Sequence, residues 1–167
     1  CFFFVVAILW RALRSFKLVI ASVATLLTGL VWTAAYAAAS VGYLSLVSAS
    51  FAVLFIGLGV DFAIHLCMAY ADQLRKGVPH EQALQTSTEQ VGGSLLICTI
   101  TTAIGFFVFV PTDYLGVAEL GLIAGGGMFI IFFLTLTLLP ALLSHWLIVD
   151  PAHELLRELR FRSTWWR

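Results

Sequence analysis

The chain has 167 residues, 61% hydrophobic and 11% charged, and its nine basic and nine acidic residues cancel to a net charge of zero. Soluble domains run to roughly 45–50% apolar and about 25% charged, so a mean hydropathy of +1.02 marks an integral membrane protein of all-α class. Nine scattered basic residues make no nucleic-acid surface, and the chain holds neither a nucleophile elbow nor a phosphate loop; it does not read as an enzyme.

Residues 1–10 are apolar but only half the length of a spanning helix, and they read as the cut end of a longer one. Four fuller spans follow at 18–39, 46–70, 92–110 and about 120–148, each long enough to cross about 30 Å of hydrocarbon. Every Lys and Arg lies in 11–17, in 71–91 or in the tail after Asp150. By the positive-inside rule those segments are cytoplasmic, and 40–45 and 111–119 face outward. Within 71–91, Pro79 suits a first helical turn and Glu81 its positive end, so 79–91 reads as a short interfacial helix or else as a solvated loop. Pro111 closes the span at 92–110. The tail, 150–167, reads as a basic amphipathic segment or a linker.

The second full span carries one carboxylate, Asp61, in an otherwise apolar run. Such a group costs several kcal/mol near the bilayer centre unless paired, hydrated or neutralised, which makes it a functional-site candidate. At about 100° per residue it shares a helix face with Ser50, Leu54, Gly57, His65, Met68 and Asp72. The following span offers a matching stripe of Ser94, Cys98, Thr101, Thr102 and Gly105, with Thr102 at the depth of Asp61. Asp61 is expected in a dry niche with Thr101 or Thr102 as its hydrogen-bond neighbour; the alternative is that the threonines bond their own helix carbonyls. No Lys or Arg lies within the spans to pair with it. An acid that is neutral when shut off from water and charged when hydrated can couple proton passage to helix movement. His65, one turn on, reads as a relay partner or as a packed neutral histidine. Glu119 reads as a site of proton uptake from the outer side or as an interfacial acid in water. Gly121 and Gly125, four apart, read as close-packing positions or a hinge, and Gly57 and Gly105 as packing positions in their stripes. Cys1, Cys67 and Cys98 have no paired spacing, so neither a disulfide, a metal site nor a cofactor is expected.

Gly57-Leu-Gly-Val-Asp61-Phe-Ala-Ile-His65, then Tyr70 and Arg75-Lys76-Gly77, resembles the fourth transmembrane helix of the resistance-nodulation-division superfamily, in its lipid-exporting large-membrane-protein branch. Thr101-Thr-Ala-Ile-Gly-Phe106 resembles that family's fifth helix, and Leu134-Thr-Leu-Thr-Leu-Leu-Pro-Ala-Leu-Leu143 the end of its sixth. Glu119-Leu-Gly-Leu-Ile-Ala-Gly is most similar to bacterial hopanoid transporters. The resemblance implies part of helix two through helix six of one half of a two-half protein, with lipid and protons as its partners. The other half and large periplasmic domains would complete it, a homo-oligomer is compatible with it, and export from a bacterial inner membrane would be driven by the proton-motive force. Phe62 stands where multidrug members carry a second acid. Sterol-sensing proteins such as Patched share the five-helix unit, so a lipid-sensing or scaffold domain that moves nothing is the alternative.

Overall fold

The computed structural model describes residues 16–42 and 50–147; the part-span 1–10, the start of the second span at 46–49 and the tail 150–167 lie outside the described residues. Four helices make up the described chain: α1 (Phe16–Ser40), α2 (Phe51–Arg75), α3 (His80–Phe107) and α4 (Leu115–Leu147). All four are long and apolar enough to cross a membrane. In hydrocarbon every backbone donor and acceptor must be satisfied within the segment, and uninterrupted helices meet that demand.

Successive helices run antiparallel. α4 is the central element, touching the other three, and α2 also touches all its neighbours, whereas α1 and α3 never meet. The cross-section is therefore a diamond with α2 and α4 on its short diagonal. Lipid supplies no hydrophobic drive for helices to associate, so close approach through small residues has to hold such a unit together. Gly29, Gly59 and Gly127 bring α1, α2 and α4 against Ile131, Leu26, Thr33 and Phe55. Gly121 lies against the Phe106 carbonyl and Gly125 against the Phe107 ring, which sets the α3–α4 crossing. Pro140 interrupts one ladder bond of α4 but does not end the helix.

The boundaries differ from the sequence reading at two places. The stretches read as 79–91 and 92–110 merge into one helix, His80–Phe107, of 28 residues rather than an interfacial helix and a separate span. Nothing between them breaks the backbone ladder: Ala83, Leu84 and Ser87 are buried, Ser87 returns its hydroxyl to the Ala83 carbonyl, and Gly92 packs near Leu136. At about 1.5 Å per residue α3 is about 42 Å long, so its polar first turns extend past the hydrocarbon. α4 begins at Leu115 rather than 120, directly after a turn in which the Tyr114 amide donates to the Thr112 hydroxyl. Between α2 and α3 the turn is tight, with Gly77 at φ 81° and the Val78 amide donating to the Gln73 carbonyl.

The glycines separate into two kinds, and this yields a test. A Cβ on Gly121 would meet the Phe106 carbonyl oxygen at 2.5 Å, a backbone atom that cannot swing away, whereas one on Gly57 meets nothing within 4 Å. Gly121→Ala is expected to cost about 1–3 kcal/mol through overpacking, while Gly57→Ala is neutral or gains up to about 1 kcal/mol of helix propensity. Thermal unfolding of the detergent-solubilised protein measures both; equal midpoints would refute the α3–α4 register.

Candidate functional site

The direction of Asp61 follows from the packed face of α2. Phe51, Phe55, Gly59, Phe62, Ala63, Leu66, Tyr70 and Leu74 are buried against the other helices, repeating every three or four residues. Helical geometry then sends the intervening positions outward: Gly57, Asp61, His65, Met68 and Asp72 are all exposed on the four-helix unit. Asp61 has no hydrogen-bond or ion-pair partner among the described residues. The expectation of a dry niche inside this unit is therefore corrected, because the side of α2 that faces its neighbours is occupied by large apolar side chains.

α3 continues the same outward surface. Leu95, Thr99 and Ala103 are buried, and Ser94, Ile97, Cys98, Thr101, Ile104 and Gly105 are exposed. Thr101 donates its hydroxyl to the Ile97 carbonyl at 2.8 Å, and Thr99 to the Leu95 carbonyl at 2.7 Å. Thr102 is half-buried. The Thr99 and Thr101 hydroxyls thus go to their own helix, the alternative that threonine in apolar helices commonly takes, and no hydrogen bond joins Thr102 to Asp61 among the described residues. Gly57 and Gly105 have open space where a Cβ would stand, so neither packs against a helix of the described unit. Each lies on the exposed side of its helix. His65 is exposed one turn from Asp61, and at the end of the stripe Asp72 pairs with Lys76 at 2.7 Å.

Glu119 lies elsewhere, in the second turn of α4 on the stripe that continues through Ile123, Gly126 and Gly127 towards α1. It is 8% exposed, and its Oε2 is buried without a hydrogen-bond partner. It is not an interfacial acid standing in water. Gly121 and Gly125 sit at the α3–α4 crossing.

Several polar features were not singled out from the sequence. α1 buries Ser22, Thr25 and Thr33 on one stripe with Gly29. Ser22 and Thr25 return their hydroxyls to the Leu18 and Ala21 carbonyls, and Ser22 also lies 3.6 Å from the buried Cys67 of α2. Their spacing at i, i+3, i+7 and i+11 is the signal that could have found them. At the end of the unit that carries Arg75 and Lys76, the Tyr70 hydroxyl shares a 2.6 Å hydrogen bond with His80 Nδ1, and Gln73 donates to Gln90 at 3.2 Å. No group of three or more His, Cys, Asp or Glu side chains gathers as a metal site among the described residues.

An outward acid in an apolar helix, flanked by glycines and with its own side of the bundle sealed, describes a membrane-embedded unit built to meet something else. Comparison with known proteins agrees with the motif order. The chain is 48% identical over 139 residues to the hopanoid transporter HpnN of Burkholderia multivorans, covering 83% of this chain and 16% of that protein. It is 44% identical over 150 residues to HpnN of Rhodopseudomonas palustris, covering 90% of this chain and 17% of that protein. The sulfolipid-1 exporter MmpL8 of Mycobacterium tuberculosis is 33% identical over 88 residues, covering 53% of this chain and 8% of its own. The chain therefore spans about one-sixth of the length of its hopanoid-transporter relatives. With the family pattern matched across residues 1–167, this chain belongs to the MMPL family.

Proposed function

We propose that this chain is the membrane-helix unit of a proton-motive-force-driven exporter of sterol-like lipids such as hopanoids, working in a bacterial inner membrane. The single observation that carries the reading is Asp61: exposed on the unit, unpartnered among the described residues, and halfway along an apolar helix. Left facing acyl chains it would cost several kcal/mol, so its face requires a cover of other helices or a hydrated path. The relatives named as transporters are about six times longer than the stretch shared with this chain, so they have further chain to supply that cover. In this reading a second, related half docks on the exposed α2–α3 face, and Asp61 lies between the halves.

Such a position suits a proton carrier. The carboxylate takes a proton from the outer side, becomes neutral and tolerates a closed, dry interface. Release to the inner side restores the charge, which draws water and reopens the interface. One charge crossing 100 mV supplies about 2.3 kcal/mol, an input that can drive helix movement and hence lipid movement. His65, one turn nearer the Arg75–Lys76 end, is the proposed next carrier, with that end cytoplasmic. Thr101 and Thr102 are proposed to lend hydroxyls to the same path once the second half turns the face inward. Glu119, with one oxygen buried and unbonded, is the proposed group for proton uptake at the outer end. A lipid sensor or scaffold would need none of these titrations.

Replacing Asp61 by Asn keeps shape and removes the proton chemistry. Export of hopanoid from inner-membrane vesicles is expected to fall by at least about tenfold, the equivalent of ~1.4 kcal/mol, with the unfolding midpoint unchanged. Collapsing the proton gradient with a protonophore is expected to stop export by the wild-type protein; lipid flux that persists would identify a passive channel. Full export by Asp61→Asn would remove this acid from the mechanism. Glu119→Gln is expected to slow export less than Asp61→Asn, by about threefold to tenfold, and to do so most at high external pH, where protons are scarce. A rate independent of external pH in wild type and variant alike would exclude Glu119 from proton uptake.

A further inference from the structure

We propose that Tyr70 and His80 are positioning residues, forming a latch that holds the Asp61 face of α2 in register with the Thr101 face of α3. Side chains join different helices by hydrogen bonds at three places among the described residues: Ser22 with Cys67, Tyr70 with His80, and Gln73 with Gln90. The two bonds between α2 and α3 both lie at the Arg75–Lys76 end. No such bond joins these helices at the depth of Asp61 or beyond it. The other end of α3 is held by α4, through Gly121 against Phe106 and Gly125 against Phe107. α3 is therefore tied to α2 at one end and to α4 at the other. Any turn or tilt of α2 against α3 has its fulcrum at the latch, and Asp61, nine residues away, rides about 13.5 Å along the lever.

The chemistry of the pair favours a latch over incidental contact. Tyr70 is 1% exposed, so its hydroxyl has no water to turn to, and its ring meets the His80 ring edge-on with centroids 5.8 Å apart. A buried hydroxyl that loses its partner keeps its full desolvation cost, so separating α2 from α3 here is opposed by an unmade bond as well as by lost packing. His80 is the first residue of α3 and follows the Gly77-Val78-Pro79 turn, which places the bond where the two helices diverge. His80 Nε2 is buried without a partner, so the Tyr70 bond is the imidazole's polar anchor among the described residues. Asparagine at position 80 offers either an acceptor or a donor near the place of Nδ1, whereas phenylalanine offers neither.

The transport arm of the test rests on the proposed function; the distance arm does not. Spin labels at the exposed positions Leu54 and Ile104, with the other cysteines replaced, report the α2–α3 separation far from the latch by pulsed electron resonance in the full-length protein in vesicles. Tyr70→Phe and His80→Phe are each expected to broaden that distance distribution and to slow export at least about threefold, with the double variant no worse than either single one. His80→Asn is expected to restore both the narrow distribution and the rate. Losses that multiply in the double variant, or an unchanged distribution in Tyr70→Phe, would overturn the latch. Export lost in Asp61→Asn but untouched in Tyr70→Phe would overturn the latch and leave the proposed function standing.

Discussion

The wall of large side chains along one side of α2 is what the rest of the molecule depends on. Phe51, Phe55, Phe62, Leu66 and Tyr70 are buried against α1, α3 and α4, and a helix with that wall committed has no freedom in where its other side points. Asp61 faces outward for this reason alone. Turning α2 to bring the acid inside would expose five large side chains and press a carboxylate against close-packed apolar surface, where an unpaired charge costs more than it does in a hydrated cleft. The packing inside the unit and the need for a cover outside it are thus one constraint seen from two sides.

Glycine use follows the same division. Those on the inward faces, Gly59, Gly121, Gly125 and Gly127, each stand where a Cβ would collide with a neighbouring helix, and without a hydrophobic drive in lipid such closeness is what makes helices adhere. Those on the outward α2–α3 face, Gly57, Gly93 and Gly105, meet nothing. Open space beside three glycines and an acid is costly to leave to lipid and well shaped for another helix backbone. In the proposed function a docking helix would fill this surface as the inner seams are filled.

Much of the architecture could be read from residue order. Apolar length located the helices, Pro79 the start of α3, and motif order the family. The continuity of α3 could not be read, because its first turns are polar and hydropathy records composition rather than the backbone ladder, which needs only the absence of a breaker. Spacing put Asp61 and His65 on one stripe, but whether that stripe faces in or out depends on which side of α2 meets α1 and α4, a tertiary fact. Thr101 shows the same limit: its spacing is compatible with a neighbour's carboxyl and with the Ile97 carbonyl one turn back, and the local bond has the shorter reach. Tyr70 and His80 are ten residues apart across a turn, a separation that no helical period highlights.

The distribution of polar contacts also decides where the unit can move. Along α1, α2 and α4 the seam is filled at Gly29, Gly59 and Gly127 by Ile131, Leu26 and Phe55, with Ser22 and Cys67 in contact at one end. Sliding there would force side chains through one another, and interiors packed this way respond in discrete steps or not at all. Between α2 and α3 the middle is lined by exposed small and polar residues and held by side-chain bonds only at the Arg75–Lys76 end. In the proposed mechanism a change of charge at Asp61 would act on that weakly held seam. In the proposed mechanism the packed α1–α2–α4 side would serve as the frame against which α3 is displaced, and a carboxylate enclosed in that packed seam would have far less to move.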